Sequence, residues 1–169
     1  MGLLRNRGDE PQGRRFQMHE KFVSVGDDSW IEDSDGERVF KVNGKVLRAR
    51  NTFILEDRSG HEVAKIQEKK LSVRDKMTIE LGGRKATVKK ALVGIRERFH
   101  IEIDGGEDLK AHGNIVDHEY EIEGDGKQAE VSKKWFRLRD TYVVEVEPGA
   151  DAVLMIAITV AIDAMSHDV

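Results

Sequence analysis

The residues with the most chemical promise are cationic and they recur. Lys69-Lys70 precedes Arg74-Asp75, Lys89-Lys90 precedes Arg96-Glu97, and Lys133-Lys134 precedes Arg137 and Arg139-Asp140. Ammonium and guanidinium groups gathered from neighbouring segments can hold a phosphate by charge-assisted hydrogen bonds. The same arginines, each followed by a carboxylate, can instead fix chain corners by pairing locally, which would leave the lysines solvated. Covalent chemistry has less to work with. The chain has no Cys, which removes a thiol nucleophile, a disulfide framework, a zinc knuckle and an iron–sulfur site. It carries no Gly-x-Ser-x-Gly, phosphate loop, His-Glu-x-x-His or dinucleotide fingerprint. Its six histidines (His19, His61, His100, His112, His118 and His167) show no metal-ligand spacing and read as scattered surface residues. Neither catalysis nor a cofactor is expected.

The chain has 169 residues, enough for one domain with a buried core. A net charge of -4 argues against a nucleic-acid partner recognised by bulk positive charge. Residues 1–17 hold several arginines among Gly and polar residues and read as a flexible basic tail, with the folded unit expected over 18–166. The tail lacks the apolar run of a secretory signal, and Asn6 fails the myristoylation pattern.

What must position the cations is a repeat. Asp35-Gly36, Ser59-Gly60, Gly82-Gly83, Gly105-Gly106 and Asp125-Gly126 sit between runs of alternating apolar and polar residues, the signature of β-hairpins. A second punctuation begins at Asp28, Arg50, Arg74, Arg96, Asp117 and Arg139, with steps of 22, 24, 22, 21 and 22 residues. Such self-similarity marks one strand–turn–strand unit per step. Five hairpins, a strand near 20–25 and another near 141–146 make twelve antiparallel strands. Pro148-Gly149 then leads into Ala150–Met165, a segment apolar on every side and too long for an ordinary strand. It is read as a helix, and a helix apolar all round must be surrounded. Its uncharged run, Ala152 to Ile162, is only eleven residues, too short to cross a membrane.

These pieces fit one architecture: an all-β fold with one helix, a closed twelve-stranded antiparallel barrel around a central C-terminal hydrophobic helix. Closure removes sheet edges, and a barrel of more than about eight strands is hollow unless something fills it. The small residues Ala64, Ala86 and Ala129, at equivalent hairpin positions, would make room for the helix. The glycine turns would lie at one end and the Arg-Asp corners at the other. The corner end would therefore collect Lys69, Lys70, Arg74, Lys89, Lys90, Arg96, Lys133, Lys134, Arg137 and Arg139. A concentrated positive end attracts an anionic surface or headgroup. Trp135, Phe136 and Tyr142 interleave with these cations and read as rim packing.

The Lys-x-x-Leu-x-x-Arg-Asp corners, the segment Lys134-Trp135-Phe136-x-Leu138-Arg139-Asp140-Thr141-Tyr142 and the closing Ala152–Asp163 helix together resemble the LURP-one-related proteins. That family belongs with the tubby C-terminal domain and the phospholipid scramblases. The resemblance implies the same barrel around a central helix, over about residues 18–166. Tubby domains bind phosphoinositide headgroups, and scramblases act on membrane lipids, so the resemblance implies a lipid-facing role. The expectation is a non-enzymatic binding module whose basic end recognises an anionic membrane surface or a phosphorylated ligand. A protein-interaction scaffold is the alternative, and scramblase-like activity a distant one. The expected location is cytoplasmic, peripheral at a membrane and not transmembrane.

Overall fold

A computed structural model describes residues 13–19, 28–47, 50–69, 76–93, 96–133 and 141–166. Twelve strands and one helix follow in chain order. They are β1 (Arg14–His19), β2 (Asp28–Asp33), β3 (Arg38–Leu47), β4 (Arg50–Asp57), β5 (Glu62–Glu68) and β6 (Lys76–Leu81), then β7 (Arg84–Val93), β8 (Arg96–Ile103), β9 (Leu109–Asn114), β10 (Glu119–Glu123), β11 (Lys127–Ser132), β12 (Thr141–Val146) and α1 (Ala152–Ser166). Each strand pairs antiparallel with its sequence neighbours, and β1 pairs with β12 to close the barrel. The expected tandem meander and its closure are both present.

Alternation builds the wall. Val42, Leu55, Ile66, Ile79, Val88, Ile101, Ile122, Val131 and Val144 are fully buried inside, and most of their chain neighbours lie on the outer face, where Ile54, Ser132 and Val143 are covered as well. Two hairpin turns are built alike: an aspartate carboxylate, Asp33 or Asp57, accepts the backbone N–H groups two and four residues on. This local bond satisfies the turn and favours it over continued strand. A one-residue register shift follows Ile31, Leu55 and Ile122, each preceding a glutamate, so the repeat extends to its bulges.

The helix occupies the lumen. Every residue from Leu154 to Asp163 is buried, nearly three turns with no exposed face. Ala64, Ala86 and Ala129 are buried at 4% exposure or less, as a lumen this crowded requires. Gly149, at φ 83°, turns the chain inward after β12. Asp151 then caps the helix: its Oδ1 accepts the Leu154 N–H at 3.1 Å, and its other carboxylate oxygen takes Arg84.

One boundary differs from that read in the sequence. β1 begins at Arg14, inside the segment read as tail. It presents only Phe16 and Met18 to the core, so its composition looks like a leader. Its strand state comes from pairing with β12 across the closure. The strand expected near 20–25 lies outside the described residues.

Candidate functional site

Because successive strands alternate in direction, the junctions after odd-numbered strands fall at one end of the barrel, where the helix also ends. The hairpin turns and the helix N-terminus share the other end. The structure places the ten candidate cations unevenly. Lys69 follows β5 at the corner end and is exposed; its backbone N–H donates to Lys76 at 3.0 Å. Lys89 lies on the outer wall, where its Nζ meets Glu102 Oε1 at 2.5 Å and holds that carboxyl below the usual range. Lys90 lies in register with buried Phe99, and its Nζ donates to the Met165 carbonyl at 3.5 Å, a cation on the helix C-terminus. Lys133 follows β11 half-buried, its backbone N–H held by Glu119 at 2.9 Å. Arg96 opens β8. Lys70, Arg74, Lys134, Arg137 and Arg139 lie outside the described residues, as do Trp135 and Phe136. Tyr142 is fully buried.

The described corner between β9 and β10 is firmly built. Asn114 and Asp117 exchange two hydrogen bonds, at 2.7 and 3.2 Å. His118 adopts φ 54°, and its N–H donates to Ile115 at 3.2 Å. This conformation turns Ile115 and His118 inward and leaves Val116 63% exposed, the one large hydrophobic side chain so placed among the described residues.

The sequence pattern reads His118 as a surface histidine, and the structure corrects that. It is 1% exposed, and its Nε2 lies 3.2 Å from Asp163 Oδ1 on the helix. Its ring stacks on Tyr142 at a centroid distance of 4.3 Å, and the Tyr142 hydroxyl donates to the same carboxylate. Tyr120 lies alongside; burial pushes its hydroxyl well above its ordinary range, the Asp163 charge adds to this, and Thr159 partly opposes it. A buried carboxylate with two partners is what a dry interior demands. The cluster is sealed from solvent, so its geometry suits anchoring the helix to β10, β12 and the corner. The sequence did carry a signal: Asp163 closes an otherwise uncharged run, and His118 stands where three of the other corners have an acid, Asp75, Glu97 and Asp140.

Two further features lie away from this end. On the outer wall of β9 and β10, His112, Glu121 and Glu123 bring their ligand atoms within 4.8 Å of one another. At the turn end, a depression of about 620 Å³ opens where the register of β5 with β6 begins only at Lys65 and Glu80. Its rim mixes Glu62, Glu80 and Asp104 with Arg84 and Lys85, and Arg84 is committed to Asp151. Among the described residues no helix is long and apolar enough to cross a membrane.

Comparison with known proteins matches the architecture. An Arabidopsis thaliana protein solved by X-ray crystallography aligns with a TM-score of 0.67 at 18% identity, covering 93% of each chain, and so shares the fold. No curated protein matches the chain. The family described as LURP-one-related matches residues 14–163, from the first strand to the buried aspartate of the helix. With that span and this barrel, the chain belongs to the LURP-one-related family.

Proposed function

We propose that the protein is a non-catalytic binding module whose corner end docks on anionic lipid headgroups. Family membership and the closed, helix-filled barrel support the coarser part, a binding module without a catalytic centre. The observation that carries the finer part is the company kept at one rim. Exposed Lys69 and exposed Val116 occur at the same end, together with half-buried Lys133; the sequence expectation adds Lys70, Arg74, Lys134, Arg137 and Arg139, which lie outside the described residues. An exposed aliphatic tip on a rim that also carries lysine suits the boundary between headgroups and acyl chains. Lys89, paired with Glu102 on the outer wall, and Lys90, on the helix C-terminus, are engaged by the barrel itself and contribute little to such a surface.

Co-sedimentation with vesicles tests the reading. The protein should pellet with phosphatidylserine- or phosphoinositide-containing vesicles at low salt and stay in solution with pure phosphatidylcholine. Binding should fall steeply as salt rises. Charge reversal at Lys69, Lys70, Lys133 and Lys134 together should abolish it. Equal partition to neutral vesicles, or binding untouched by the reversal, would refute it.

A further inference from the structure

We propose that the outer wall of β9 and β10 holds a divalent transition-metal cation, ligated by His112, Glu121 and Glu123. Strand pairing makes the set. Glu121 lies directly opposite His112, and Glu123 is two residues on, on the same outward face. One imidazole nitrogen with two carboxylates is a donor set that zinc, manganese or iron(II) accepts.

The fine geometry accommodates a shared ion. His112 Nε2 is 2.9 Å from Glu123 Oε1, yet it is shielded from solvent and makes no aligned hydrogen bond. Two atoms each about 2.1 Å from one octahedral ion stand about 3 Å apart without pointing at each other. The backbone next to His112 is tightly placed. Gly113, next in the chain, has φ 133° and approaches β10 so closely that a Cβ would fall 2.6 Å from the Glu119 carbonyl oxygen.

The charge pattern points the same way. Glu121 faces Glu130 across β11, and Glu130 faces Glu145 across β12, a row of like charges directly opposed. Lys127 answers Glu130 at 3.2 Å, and Arg15 answers Glu145 at 3.2 Å. Glu121 has no cationic partner among the described residues, and Lys110, in register with Glu123, forms no ion pair with a described residue. A cation bound here completes the row. The set is also peculiar to this copy of the repeat: at the equivalent pairing of β3 and β4, Asn43 stands opposite Ile54.

The full-length protein, stripped with a chelator, would be titrated with Zn²⁺ and with Mn²⁺ by calorimetry. The expected result is one saturable site per chain and a rise in melting temperature with added metal. His112→Ala and Glu121→Gln should each weaken binding by about tenfold or more, since even outer-shell partners are worth that much. Both variants should melt like the metal-free wild type. His61→Ala, at an exposed histidine elsewhere on the barrel, should leave binding unchanged. Absence of saturable binding for both metals would overturn the proposal, as would undiminished binding by both site variants. Because Glu121→Gln replaces a half-buried outward side chain, it reports even if His112→Ala fails to fold.

Discussion

At the scale of single residues, the interior of the corner end is governed by one carboxylate. Asp163 is taken out of water by the helix that carries it, and Tyr142 and His118 restore the lost solvation. Tyr120 shares that space, and burial together with the Asp163 charge strongly disfavours its phenolate. Its folded-state proton affinity is raised, so its contribution to stability is complete below the ordinary tyrosine range, near pH 10, and is lost as pH climbs beyond it. Urea unfolding between pH 9 and 11 should therefore show wild type losing stability more steeply than Tyr120→Phe. Parallel curves would show that this hydroxyl ionises freely in the folded chain.

At the scale of elements, the helix is the core. Ile156, Ala157, Ile158 and Thr159, four consecutive residues about 100° apart around the axis, are all fully buried, so no face is spare. Ile158→Ala leaves a cavity that the surrounding strands, tied into a closed ladder, cannot collapse to fill. It should cost about 3 kcal/mol in denaturant unfolding, toward the middle of the range for such truncations. A cost below about 1 kcal/mol would mean that the wall yields there. The helix ends are held separately, by Arg84 and the Asp151 cap at entry and by Lys90 on the Met165 carbonyl at exit. Two of the repeat's cations, Lys89 and Lys90, thus serve the wall and the plug.

At the scale of the molecule, twelve strands close only around something. Removing residues 150–169 should leave a chain that binds a hydrophobic dye and unfolds without a cooperative transition, because an empty lumen of this size exposes its inward face to water. A sharp thermal transition in the truncated chain would show that the wall stands alone.

Much of this was legible beforehand. The glycine turns, the alternating runs and the apolar closing segment determine strand number, direction and the need for a lumen-filling helix, because each is set by local backbone preference and by which side chains must leave water. The start of β1 was not legible, since Phe16 and Met18 acquire an inward face only when β12 lies beside them. His118 meets Asp163 across 45 residues, and the trio of His112, Glu121 and Glu123 exists only because two strands pair in one register. Sequence alone determined the closed barrel, the turns between its strands and the helix that fills it. Tertiary structure decided which charges are paired, which are buried and which converge, because those depend on distances between residues that the chain order does not encode.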